Sequence, residues 1–127
     1  MTYFFDENFS PKLARAINEL DDKNDIFSSV DFFERGLPDE LLIPKIGEQK
    51  GILITQDFKI HKTRHLYQLY TASKIGAFFF KFPNGTTFWE INTMVVKNWT
   101  KIITTAADWE VPFGFRITRN RGRFERL

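Results

Sequence analysis

The feature that most constrains this chain is a run of four uncharged residues, Ile52-Leu53-Ile54-Thr55, that ends at once in Gln56-Asp57. A short apolar stretch without polar alternation reads as a strand buried on both faces, and such strands belong to parallel sheets. Two-sided burial needs helices above and below, so the rest of the sequence has to supply them. It does so in alternation. Tyr3-Phe4-Phe5 is a first strand that ends in Asp6-Glu7-Asn8. Ser10-Pro11 then gives an N-cap and first-turn pair for a helix whose Leu13, Ala14, Ile17 and Leu20 share one face. Residues 26–30 read as a second strand. After Gly36-Leu37-Pro38, Asp39-Glu40 opens a second helix with Leu41, Leu42 and Ile46 turned inward, a kink expected at Pro44, and Gly47 and Gly51 marking its end. A third helix over about residues 61–73 carries Leu66, Leu69 and Tyr70 on its buried side, and residues 77–82 form the next strand. Thr87 caps a helix expected to run to about residue 105, with Ile91, Met94, Val95, Asn98 and Ile102 in one stripe. Residues 113–118 make a last strand.

The connections are too long for hairpins, which predicts an α/β class fold: a mostly parallel central sheet between two helical layers, three-layer α/β/α. A length of 127 residues fits one domain spanning residues 1–127, with residues 116–127 as an Arg-rich terminal strand and tail. Fifteen Phe and three Trp are many for this length, so an aromatic core is expected, and Trp89, Trp99 and Trp109 read as packing residues. The absence of cysteine rules out disulfides and thiolate metal sites, leaving oxygen or imidazole ligands for any metal. The N-terminal residues have no basic start followed by an apolar core, and no run approaches the roughly 18 apolar residues of a membrane span. A cytoplasmic protein without membrane attachment is the expectation.

In open parallel sheets, ligands bind beyond the carboxyl ends of the strands, where strand order reverses. Asp6 and Asp57 each follow such a strand, and the Asp39-Glu40 pair can lean over the same edge. Converging carboxylates without cysteine or a paired histidine ligand set favour a hard cation such as Mg²⁺ or Mn²⁺, and phosphodiester hydrolysis is the chemistry such a centre suits. Glu40 could position or deprotonate the attacking water, and Asn8 and Thr55 could hold ligands or substrate phosphates. Each acid also has an ordinary role as a helix cap or turn residue, and Asp39 suits the positive end of a helix dipole, which makes Glu40 the better ligand of the pair. Glu7, Asp31, Glu34 and Glu48 read as solvated.

His61 and His65 stand four residues apart on one helical face, but Lys62, Thr63 and Arg64 lie between them, which disfavours zinc. Lys59, Lys62 and Arg64 instead form a basic rim beside Asp57 able to meet nucleic-acid phosphates, or simply a solvated helix face. The net charge is only +2, yet five Arg fall within the last twelve residues. That stretch, with Arg119, Arg121 and Arg123, could grip RNA, dock an anionic partner or stay solvated.

Phe4-Phe5-Asp6-Glu7-Asn8 with Ser10-Pro11-Lys12-Leu13-Ala14, then Gly36-Leu37-Pro38-Asp39-Glu40, then Ile52-Leu53-Ile54-Thr55-Gln56-Asp57, resemble the PIN-like domain family that includes VapC-type toxins. The resemblance covers roughly the first two thirds of the chain. It implies a Rossmann-like PIN fold and a metal-dependent endoribonuclease, often the toxin of a toxin–antitoxin pair neutralised by a small antitoxin protein, and often a homodimer. Asp6, Glu40 and Asp57 match its acidic positions, with Asp39 as the rival of Glu40. Many relatives place another acid two residues beyond the last aspartate, where this chain has Lys59. The competing expectation is therefore a domain of the same fold that binds RNA or a protein partner without turnover; a DNA-directed nuclease is a third.

Overall fold

The computed structural model describes residues 1–119 and 123–127. Strand β1 (Thr2–Phe5) leads into α1 (Pro11–Leu20), β2 (Asp25–Ser28), the single turn α2 (Ser29–Phe32) and α3 (Asp39–Glu48). Then come β3 (Ile52–Thr55), the short α4 (Lys59–Lys62), α5 (Arg64–Ala72) and β4 (Gly76–Lys81). Helices α6 (Phe88–Lys97) and α7 (Trp99–Asp108) precede β5 (Phe113–Thr118) and β6 (Phe124–Arg126). No helix among the described residues is long and apolar enough to cross a membrane.

The strands form one sheet in the order β2-β1-β3-β4-β5-β6, parallel throughout except for the β5–β6 pair. From β1 the chain steps out to β2 on one side, then returns to lay β3 on the other. Strand order therefore reverses between β1 and β3. Phe5 stands opposite Ile54, and Asp6 N donates to Ile54 O at 3.1 Å, so these two strands end side by side.

All four residues of β3 are buried, as the uncharged run predicts. Tyr3, Phe5, Ile54, Phe78 and Phe80 meet residues of α1, α6 and α7, among them Leu13, Ile17, Val95 and Ile102. Phe4, Leu53, Ala77 and Phe79 meet α3 and α5 through Leu42, Ile43, Ile46, Leu66 and Tyr70. Burying one large apolar side chain contributes roughly 1.5–3 kcal/mol, and a one-residue slip would exchange the two faces of a strand, so the register is firmly specified. The loops at the carboxyl edge inherit that precision.

Several element boundaries differ from the pattern. The helix expected over residues 87–105 is two helices broken at Asn98, whose side-chain amide donates to Met94 O at 2.7 Å and competes with the helical ladder. The helix expected from residue 61 begins at Arg64, because Thr63 takes an extended backbone and cuts off α4. The second strand stops at Ser28, whose hydroxyl accepts from Val30 N at 3.3 Å and starts α2. Leu41, expected inward, is exposed, while Leu42, Ile43 and Ile46 make the buried face of α3. Of the three tryptophans only Trp99 is buried; Trp89 and Trp109 are exposed.

Candidate metal centre

Each strand at the switch point ends in a turn that fixes an acid. Asp6 Oδ1 accepts from Asn8 N at 3.1 Å, Asp6 O accepts from Phe9 N at 3.2 Å, and the buried Phe9 ring anchors the loop before Ser10 caps α1. On the next strand, buried Thr55 uses one hydroxyl twice. It donates to Asp6 Oδ2 and accepts from Asp57 N at 2.9 Å, joining the two strand ends. Asp57 Oδ1 in turn accepts from Lys59 N at 3.0 Å. Asp39 is the first residue of α3 and completes the trio from the third element.

Asp6, Asp39 and Asp57 line one small cleft of about 160 Å³, with Glu7, Asn8 and Glu34 in its walls. Five acids and no cation line it among the described residues. The Asp6 carboxyl, 7% exposed, is pushed up to about 6, first by burial and then by the charges of Asp39 and Asp57, against the hydrogen bonds from Thr55 and Asn8. Asp39 is raised as well, by burial, by the neighbouring Asp57 and Glu40 charges and by a hydrogen bond to Asp57, with Lys59 pulling the other way. The cleft thus concentrates negative charge that its own walls do not neutralise.

The remaining candidates fall in different places. Glu40 is exposed and turned from the cleft toward His65 Nε2 at 3.4 Å; its carboxyl is lowered by its own backbone N–H and by His65. Asp39, not Glu40, is the acid that α3 brings to Asp6 and Asp57. Asn8 donates its backbone N–H to Asp6 Oδ1, and the Thr55 hydroxyl donates to Asp6 Oδ2. Lys59 Nζ lies 4.0 Å from Asp57 Oδ2 at the rim, and Lys62 lies above the Phe58 ring. Arg64 is exposed on α5, Arg119 pairs with Glu90 at 2.6 Å, Arg123 is exposed, and Arg121 lies outside the described residues. His61 bonds Tyr70 through Nδ1 at 2.8 Å and stacks on Phe58, while His65 faces Glu40, so the two histidines do not share a ligand set. Glu7 is exposed but also accepts from Gly36 N at 3.2 Å across the cleft mouth. Its place, and that of Glu34, carried no signal in the sequence, because tertiary folding alone brings the loop after β2 to the cleft.

The donor set suits a hard divalent cation: it is all oxygen and anionic, with Lys59 at the rim offsetting only part of its charge. Among the described residues no group of three or more His, Asp and Glu side chains already stands in a ligating array. Asp39 and Asp57 share a hydrogen bond at the cleft, and Asp6 feels the charge of both.

Fold and cleft together define an α/β domain with acids gathered at the topological switch point. A family model described as PIN like domain matches residues 1–82, 82 of the 127 residues and all three cleft aspartates among them. The chain belongs to the PIN-like domain family. No curated protein and no solved structure matches it.

Proposed function

We propose that this protein is a metal-dependent endoribonuclease and the toxin of a cytoplasmic toxin–antitoxin pair. The observation that carries the proposal is the cleft itself: three aspartates from β1, β3 and α3 meet at the switch point with no lining cation to balance them. Asp6, Asp39 and Asp57 would hold Mg²⁺ or Mn²⁺, which when bound supplies charge neutralisation and an activated water for phosphodiester hydrolysis. Thr55 Oγ1 and Asn8 N hold Asp6 in one orientation, and Thr55 with Lys59 N holds Asp57. Side chains restrained in this way meet a substrate without first losing rotamer freedom. The toxin role rests on the resemblance of the three acidic motifs to VapC-type toxins.

The decisive experiment is cleavage of single-stranded RNA with Mg²⁺ or Mn²⁺. Asp57→Asn should lower the rate about a thousandfold or more, because a metal centre contributes several kcal/mol of transition-state stabilisation. EDTA should stop cleavage and added Mg²⁺ restore it. Cleavage that persists in EDTA, or in Asp57→Asn, would sink the proposal. One observation favours a second reading, RNA binding without turnover: Lys59 sits beside Asp57 where an acid could stand, and the carboxylates form no closed array. That reading expects RNA affinity but no cutting under any metal.

A further inference from the structure

The acid cleft has a neighbour of opposite chemistry on the same sheet edge. At the ends of β3 and β4 lies a trough of about 350 Å³, walled by Phe58, Phe79 and Phe82 and lined by Lys62, Lys81 and Arg116. Gln56 lines the trough and Asp57, the next residue, lines the cleft, so the two adjoin. Phe82 also lines a larger groove of about 660 Å³ beside α6, where Trp89, Met94, Lys97 and Arg119 stand. Cleft, trough and groove therefore form a series, linked by the Gln56-Asp57 step and by the shared Phe82. Most of the groove lies beyond residues 1–82, the part that matches the family.

Charge reverses along this series. Five acids line the cleft, whereas Lys62, Lys81, Lys97, Arg116 and Arg119 line the trough and groove against the single acid Glu90. Glu90 is already engaged, in the capping box with Thr87 and in the pair with Arg119. Arg116 lies over the Phe58 ring, its NH2 group donates to Glu125 at 2.9 Å, and its buried Nε–H has no acceptor among the described residues. A buried guanidinium N–H without an acceptor is unfavourable, and the fork of donors that a guanidinium carries suits phosphate oxygens.

Trp89 is 75% exposed, so packing does not account for it. The core side of α6 is made by Ile91, Met94 and Val95, which leaves the indole on the outside of a capped first turn, edge-on to Phe88. An exposed indole on a rigid turn with cations alongside is a platform for a nucleobase. Lys62, Lys81 and Lys97, beside Arg116 and Arg119 with their partners Glu125 and Glu90, favour a polyanion over an apolar protein helix as occupant.

We infer that the trough and groove hold an unpaired stretch of the RNA, with backbone phosphates on Lys62, Lys81 and Arg116 and a base stacked on Trp89 beside Lys97 and Arg119. The inference rests on reading the acid cleft as the place where that strand is cut. Stacking requires the base to leave a duplex, so this surface selects single strands.

The test is affinity for a labelled single-stranded RNA of about 12 nucleotides in EDTA, where cutting does not compete. The wild-type protein should bind it and bind the matching duplex far more weakly. Trp89→Leu should lose roughly tenfold or more in single-strand affinity, and Trp89→Phe less, with melting temperatures unchanged because the side chain is exposed. The Lys62→Glu, Lys81→Glu double variant should flatten the salt dependence by about two phosphates. Single-strand affinity unmoved by all three variants, as when the groove takes a protein segment instead, overturns the inference, and so does a wild-type protein that ignores RNA. RNA that binds through Trp89 but is never cut overturns only the nuclease proposal. RNA that is cut while Trp89→Leu binds like the wild type overturns only this inference.

Discussion

The cleft and the trough occupy neighbouring positions on one sheet edge, yet their side chains are held by different physics. Asp6 is buried, takes hydrogen bonds from two partners and feels two other carboxylates, so desolvation and repulsion dominate. Lys62 and Lys81 are exposed, and Arg119 shares its charge with Glu90 at the surface. Exposed charges are screened by salt and contribute little singly. Substitutions in the cleft should therefore act strongly, with pH and without much regard to salt. Substitutions along the trough should act weakly, additively and with salt. The cleft acids sit in the family-matched residues and the groove mostly outside them.

The largest expected effect on stability tests the cleft side of this contrast. Asp6 titrates near 3.8 when unfolded and at about 6 when folded, so the fold prefers the protonated acid. Ionised Asp6 therefore costs nothing below about pH 4, progressively more up to pH 6, and on the order of 3 kcal/mol above that. Asp6→Asn removes the charge while keeping an oxygen for Asn8 N. In EDTA near pH 7.5 the variant should be more stable than the wild type by on the order of 2 kcal/mol, and the gain should vanish as pH falls to about 4. Urea unfolding across pH measures this directly. A variant less stable than the wild type at every pH would mean that repulsion and desolvation do not govern the cleft.

Thr55→Val is next in size and asks whether cleft and trough are independent. Valine keeps the shape of a fully buried residue but deletes the hydroxyl that donates to Asp6 and accepts from Asp57 N. Losing a partner that orients a ligand typically costs 10- to 100-fold in metal affinity or activity, and about that is expected in Mn²⁺ titration calorimetry and in cleavage. RNA affinity in EDTA should not move. An equal fall in RNA affinity would join the two sites into one.

What the sequence made legible follows the same division. The uncharged β3 run demanded a two-sided parallel sheet, and the switch-point rule then selected Asp6 and Asp57, since both follow strands whose burial is written locally. Trp89 was legible too, but was read as packing: two residues before Ile91 it lies about 200° around α6 from the buried stripe. The break at Asn98 competes with a continuous apolar stripe, and periodicity alone favours the unbroken helix. The pairing of Arg116 with Glu125 and of Arg119 with Glu90 is tertiary and leaves no local signal. Those pairs answer part of the Arg-rich tail's three readings, because at least two of its guanidiniums are engaged within the domain.

The Asp39-Glu40 pair gives the smallest expected effect and the sharpest test of how the cleft is assembled. Successive residues of a helix diverge by about 100°, so only one of two adjacent acids can face a given cleft. The sequence favoured Glu40, because Asp39 had a sufficient explanation at the helix start. Folding places α5 beside α3 and supplies His65, which draws Glu40 outward and leaves Asp39 to Asp57. Glu40→Gln should thus change RNA cleavage by less than about twofold, in the range of ordinary surface substitutions. Asp39→Asn should lower it by at least tenfold, with RNA affinity in EDTA retained. Equal losses in the two variants would show that α3 turns to bring Glu40 in when metal and substrate arrive, and that the trio of aspartates is not the working set. A loss in Glu40→Gln alone would restore the assignment the motif suggests and remove Asp39 from the centre.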